Sequence, residues 1–140
     1  MNGRFFLDTN IFVYSFDRDA PAKALRAAEL IRDAVTSRKG MVSYQVVQEF
    51  LNVALKRFAV PLTTAEAEVY LATFFRPLPI VHSSQGLFSE ALRLSGRYRL
   101  AWYDSLIVAA AMQGECSRLY SEDLQHGLQI GALRVENPFR

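Results

Sequence analysis

The chain has 140 residues, 51% of them hydrophobic, with ten Phe, six Tyr, one Trp and a formal net charge of +2. That length suffices for one buried core without cross-links, and the composition excludes a disordered or fibrous chain. The charge is compatible with a polyanionic partner without requiring one. The single cysteine, Cys116, excludes an internal disulfide and a cysteine-based metal site; it reads as a small buried residue in a reducing compartment.

The first residues lead into the apolar run Phe5-Phe6-Leu7, which Asp8 cuts short, so no signal-peptide core is expected. No stretch approaches the roughly 20 apolar residues of a membrane span, and a cytoplasmic, membrane-free protein is the expectation. Arg4 to Leu7 reads as a buried strand that stops at a polar turn, Asp8-Thr9-Asn10. Asp19-Ala20-Pro21 then offers a helix start. Ala24, Leu25, Ala28, Leu30, Ile31 and Val35 supply the apolar stripe, and Gly40 the stop.

Met41-Val42-Ser43 is a short strand, followed by a helix over Tyr44 to Phe58 with Val46, Val47, Phe50, Leu51, Ala54 and Leu55 at helical spacing. After Pro61, Thr63-Thr64-Ala65-Glu66 has the form of a capping box and opens a helix to about Phe75. Its Val69, Tyr70, Phe74 and Phe75 are either core or an apolar contact surface. Pro79 to His82 reads as a strand, and Ser84 to Leu94 as a helix with Gly96 just past its end. Ala101 to Met112 is apolar nearly all round, apart from Asp104 and Ser105, which marks a buried helix. Arg118-Leu119-Tyr120 and Leu133-Arg134-Val135 are the last strands. One α/β domain over residues 1–140 is predicted: a three-layer sandwich with a mainly parallel central sheet flanked by helices. In such sheets ligands bind at the carboxyl ends of the strands, where two acidic turns fall.

Each acid has a local and a functional reading. Asp8 leaves a buried strand, so its carboxylate faces the sheet edge; the plain alternative is an Asx turn or a helix cap, and Asn10 shares it. Asp17 and Asp19 read as turn and cap residues. Asp104 lies in the first turn of the buried helix, where an acid also complements the helix dipole. Glu122 and Asp123 close a strand, which is ordinary turn chemistry taken alone. Glu49 falls off the apolar stripe of its helix and reads locally as solvated. His82 and His126 lack zinc-ligand spacing and read as structural or surface residues.

Taken together, Phe6-Leu7-Asp8-Thr9-Asn10, Glu49 in the second main helix, Trp102-Tyr103-Asp104-Ser105-Leu106-Ile107-Val108-Ala109-Ala110-Ala111, and Leu119-Tyr120-Ser121-Glu122-Asp123 resemble the PIN-domain family. The likeness spans nearly the whole chain and is greatest to the short bacterial members that serve as VapC-type toxins of toxin-antitoxin pairs. It implies that Asp8, Glu49, Asp104 and Asp123 converge as catalytic metal ligands, which reverses the local reading of Glu49. Asp8 and Asp104 are then the central ligands, and Glu49 and Asp123 outer or water-mediated ones, with Asn10 and Ser121 as hydrogen-bonding support. The family usually has Thr-x-Asp where this chain has Ser121-Glu122-Asp123. Serine keeps the hydroxyl, and Glu122 stays open as a neighbour or a substitute.

Two carboxylates about 4 Å apart repel by roughly 4 kcal/mol at an effective dielectric of about 20, so such a cluster needs protons or a cation. Oxygen ligands favour Mg²⁺ or Mn²⁺ over zinc. The resemblance implies an endoribonuclease that hydrolyses RNA to 5′-phosphate and 3′-hydroxyl products, with a protein antitoxin as partner and a homodimer as its assembly. RNA must approach an acidic site, so cations should ring it. Arg97 and Arg99, beside Tyr98, Trp102 and Tyr103, are the candidate RNA contacts, with Arg18 and Lys23 behind them; the alternative is a surface loop whose aromatics turn into the core. Two competing readings are weaker. A phosphatase or phosphoacceptor fold lacks its second early acid, since Asn10 stands there, and no lysine follows Lys56. A non-catalytic PIN module that binds RNA or protein would be expected to have lost some of the four acids.

Overall fold

A computed structural model describes residues 3–140. Six strands, β1 (Phe5–Leu7), β2 (Gly40–Ser43), β3 (Ile80–Val81), β4 (Arg118–Tyr120), β5 (Gln129–Ile130) and β6 (Leu133–Glu136), form one sheet in the order β3-β2-β1-β4-β6-β5. Among the described residues only β5 runs antiparallel, as a hairpin with β6. The predicted, mainly parallel α/β sheet flanked by helices is therefore present. The chain leaves β1 toward β2 on one side and returns to β4 on the other, so a crevice opens at the carboxyl ends of β1 and β4, where such sheets bind ligands.

The helices are α1 (Thr9–Tyr14), α2 (Pro21–Ser37), α3 (Tyr44–Lys56), α4 (Thr64–Tyr70), α5 (Gln85–Tyr98) and α6 (Trp102–Gln113). The polar turn expected at Asp8-Thr9-Asn10 is instead the start of α1, with Asp8 as its N-cap. α2 buries Ala27, Leu30, Ile31 and Ala34, while Leu25 is exposed, so the apolar stripe is rotated from the one read in the sequence. It ends at Arg38 in a left-handed conformation, and Gly40 opens β2. A Cβ on Gly40 would fall 2.1 Å from the Ala34 Cβ, so glycine there lets α2 lie directly on the sheet. Gly96 does not end α5, which runs on to Tyr98 and is capped by Arg99 at φ 56°.

α4 begins with the expected capping box: the Glu66 amide donates to Thr63 Oγ1 (3.1 Å), and the Thr63 amide donates to Glu66 Oε1 (2.9 Å). It continues into a π-helical turn over Leu71–Phe75, which swings Phe75 into the core. Thr63→Ala is expected to cost about 1 kcal/mol, read as a fall of a few degrees in melting temperature. An unchanged melt would show that the box contributes nothing.

The core on this side is aromatic. Phe50 of α3 stacks on Tyr70 at 4.7 Å and meets Phe12, Phe58 and Phe75 edge-on. α6 is buried from Ser105 to Ala111, as its apolar sequence predicts. Among the described residues no helix is long and apolar enough to cross a membrane.

Candidate active site

Asp8 sits where β1 ends in the middle of the sheet, 5% exposed. Its Oδ1 accepts from the Thr9 amide (2.7 Å) and its Oδ2 from the hydroxyl of fully buried Ser121 (2.7 Å), just past β4. The Ser121 oxygen in turn accepts from the Asp123 amide (3.1 Å), so one hydroxyl ties the first acid to the loop that carries the last. Asn10, in the first turn of α1, donates from Nδ2 to Asp123 Oδ2 (3.1 Å). Its own Oδ1 is buried without a hydrogen-bond partner.

Glu49 joins from α3. Thr9 Oγ1 donates to Glu49 Oε1 (2.8 Å), and the Gln45 amide lies between that oxygen (3.4 Å) and the Tyr103 carbonyl (3.2 Å). The glutamate that reads locally as solvated is instead half-buried against α1. Asp104, half-buried in the first turn of α6, lines the same open cleft as Asp8, Asn10, Glu49, Glu122 and Asp123. All four predicted acids and Asn10 line it, while Ser121 is fully buried and joins through its hydrogen bond to Asp8.

The electrostatics follow from burial. Loss of hydration pushes the Asp8 carboxyl up to about 7, against the lowering effect of its Ser121 and Thr9 hydrogen bonds, and the charges of Asp123 and Glu49 add to the rise. Asp104 is raised as well, by burial and then by Asp123. Glu122 goes the other way, held down by hydrogen bonds from Lys23 and Tyr14. A larger apolar cleft lies between α2 and α4, about 510 Å³ and lined by Phe16, Ile31, Val35, Tyr70 and Phe74, but no acid faces it.

The groups in the cleft that could hold a cation are oxygens, from carboxylates and hydroxyls. That set fits a hard divalent cation and not a soft one. Among the described residues no three Asp, Glu, His or Cys side chains are gathered tightly enough to grip one ion between them. An ion held there would take one or two of these carboxylates directly and meet the others through water.

Arg97 and Arg99 lie at the exposed end of α5 and are not among the residues lining the acidic cleft. Tyr103, which does line it, is 64% exposed, and Trp102 is exposed at its side; neither turns into the core. His82 packs on Tyr44, and His126 Nδ1 accepts from the Asn137 amide, so both are structural. Burial pushes the Cys116 thiol up to about 12, which keeps it inert. The sequence assigns no role to Thr9, Tyr14 or Gln45. The first two lie on α1, whose existence was not legible, and Gln45 faces the cleft only because α3 and α6 start side by side.

The family model described as PIN domain matches residues 5–127. Among solved structures, the chain is similar to a toxin-antitoxin complex from Klebsiella pneumoniae, with a TM-score of 0.67 and 20% identity over 95% of this chain and 96% of that one. It is also similar to Mycobacterium tuberculosis VapC20, a toxin that cleaves the sarcin-ricin loop (TM-score 0.62, 18% identity, 85% and 89% covered). A third likeness is to VapBC2 from Rickettsia felis bound to a fragment of promoter DNA (TM-score 0.61, 17% identity, 94% and 96% covered). No curated protein matches. These distant likenesses bear on the fold, whereas the family model covers most of the sequence: the chain belongs to the PIN-domain family.

Proposed function

We propose that this protein, as one nuclease domain over residues 1–140, is a Mg²⁺- or Mn²⁺-dependent endoribonuclease and the toxin of a VapBC-type pair. The observation that carries this reading is the meeting of Asp8, Glu49, Asp104 and Asp123, from four separate segments, in one cleft at the carboxyl edge of the sheet. Asp8 and Asp104 act as the central ligands, and Glu49 and Asp123 as outer or water-mediated ones. Ser121 and Asn10 hold the first and last acids in register through the bonds described above. When bound, the ion offsets the mutual repulsion of the carboxylates and supplies Lewis-acid activation of water and of the phosphate.

The chain's own residues then do three things. Thr9 and Gln45 fix the Glu49 carboxylate, so it enters the cleft already oriented. Asp8 remains hydrogen-bonded on both oxygens and cannot swing away from the sheet. At the mouth, the exposed ring of Tyr103 offers a face for an unpaired base, and Arg97 and Arg99, outside the cleft at the end of α5, offer charge for more distant phosphates of the same RNA. The toxin-antitoxin complex and the VapBC pair among the structural likenesses support an antitoxin as protein partner; a cytoplasmic homodimer is the working form proposed with it.

The test is cleavage of structured RNA by the antitoxin-free protein with Mg²⁺ or Mn²⁺. Activity is expected to vanish with a chelator, return when the ion is restored, and be lost in a still-folded Asp104→Asn variant. Cleavage that survives both chelation and that substitution would rule out this mechanism.

A further inference from the structure

Glu122 breaks the usual pattern of the acidic cleft, because it brings a fifth carboxylate to the rim. Both of its oxygens are already engaged. Oε1 accepts from the Tyr14 hydroxyl at the end of α1, and Oε2 accepts from Lys23 Nζ on α2 at 2.7 Å. Lys23 also lies over the Tyr14 ring (4.6 Å) and the Phe139 ring (5.7 Å), and those two rings meet edge-on at 5.0 Å. The loop leaving β4 is thus tied to α1, α2 and the carboxyl-terminal segment through one side chain.

The placement of Lys23 points the same way. It stands in the first turn of α2, where the helix dipole disfavours a cation, and Glu122 supplies the compensating charge. Glu122 directly precedes Asp123, whose amide is held by Ser121 and whose carboxylate is held by Asn10. With its neighbours fastened on both sides, Asp123 has one place to go despite being exposed.

We propose that Tyr14, Lys23 and Glu122 form a clamp that positions Asp123 in the acidic cleft, with Glu122 a positioning residue and not an ion ligand. The clamp has a second effect: the Lys23 ammonium cancels the one rim carboxylate that would otherwise add to the repulsion of the other four and of RNA. Lys23 is consequently committed to the loop and does not hold substrate phosphate. The effect on metal and RNA rests on the nuclease reading; the ordering of the loop does not. The pair is partly exposed, so it adds little to global stability, and its variants should melt near wild type.

The experiment compares wild type with Lys23→Met, Lys23→Arg, Glu122→Ala and the Lys23→Met/Glu122→Ala double variant. Hydrogen exchange of the metal-free proteins should quicken about tenfold for the amides of residues 121–125 in Lys23→Met and Glu122→Ala, with α6 unchanged and Lys23→Arg near wild type. Calorimetric titration should show Mn²⁺ binding about tenfold weaker in both single variants and no worse in the double. Cleavage should lose kcat at fixed low Mn²⁺, recover at high Mn²⁺, and keep KM for RNA within about twofold.

Three results would overturn the clamp. One is unchanged exchange in the loop. Another is weakened Mn²⁺ binding in Glu122→Ala but not in Lys23→Met, which would make Glu122 a ligand. The third is a raised KM and a shallower salt dependence in Lys23→Met with Mn²⁺ binding intact, which would make Lys23 a phosphate contact. If wild type neither binds Mn²⁺ nor cuts RNA while the loop still loosens in the variants, the nuclease reading falls and the clamp's structural role stands.

Discussion

Asp8→Asn is expected to lower RNA cleavage more than about 100-fold and, at the same time, to raise the melting temperature of the metal-free protein at pH 8. The two effects share one cause. Burial pushes the Asp8 carboxyl up to about 7, so above that pH the folded protein holds a charge that its surroundings disfavour. The folded value lies above the unfolded value near 3.8, so between them the folded state keeps a proton that the unfolded chain releases. Stability of the metal-free wild type therefore falls as pH rises from about 4 to 7, by at most the order of 4 kcal/mol. The amide removes that charge while its oxygen still accepts from the Thr9 amide, and Ser121 can accept in place of donating.

A residual slope of the same sign should persist in the variant, because Asp104 is raised too. Adding Mn²⁺ should stabilise wild type and leave the variant nearly unmoved, closing the gap between them. Thermal melts across pH 4 to 8, with chelator and with Mn²⁺, check every part. A variant that is less stable than wild type at pH 8 without metal would show that the Asp8 charge is not a burden. The ligand role would then lose its electrostatic rationale.

The site was legible where an acid interrupts an apolar pattern. Asp8 stops a buried strand and Asp104 opens a buried helix, and both discontinuities can be seen in one dimension. Glu49 was not legible in this way. A helical wheel knows only its own helix, whereas the group that holds Glu49 is Thr9, forty residues away on α1. Only the resemblance to a family carried it. Glu122 shows the converse limit, since an acidic dipeptide does not reveal which member is engaged by other side chains; Lys23 and Tyr14, far back in the chain, take both oxygens of Glu122.

For the fold, the long helices and the inner strands follow from apolar spacing, and the departures have local causes. α1 is six residues long, less than two turns, so it gives too short a sample of the 3.6-residue period to be read. β5 is two residues and exists because Gly131, at φ +58°, lets the chain turn back onto β6. Gly96 looks like a helix stop, but its hydrogen-bonded neighbours continue the helix, and left-handed Arg99 ends it instead. Capping chemistry is a preference that the following residues can outvote.

Phe50→Ala is expected to produce the largest loss of stability, about 3 to 5 kcal/mol, against a total that for a domain is about 5 to 15 kcal/mol. Phe50 is fully buried and its ring meets Phe12, Phe16, Phe58, Tyr70 and Phe75, so its removal unpairs aromatics from α1, α4, the π-helical turn and the segments that follow α1 and α3. Phe50→Leu keeps most of the volume and should cost about half as much or less. Urea unfolding with an unchanged slope measures both. Because Glu49 is the preceding residue, loosening of α3 should also weaken Mn²⁺ binding in Phe50→Ala under conditions where the protein is still folded. Phe50→Leu should retain binding. A cost below about 1 kcal/mol for Phe50→Ala would mean that the rings around it repack freely. Glu49 could not then owe its position to the aromatic core beneath it.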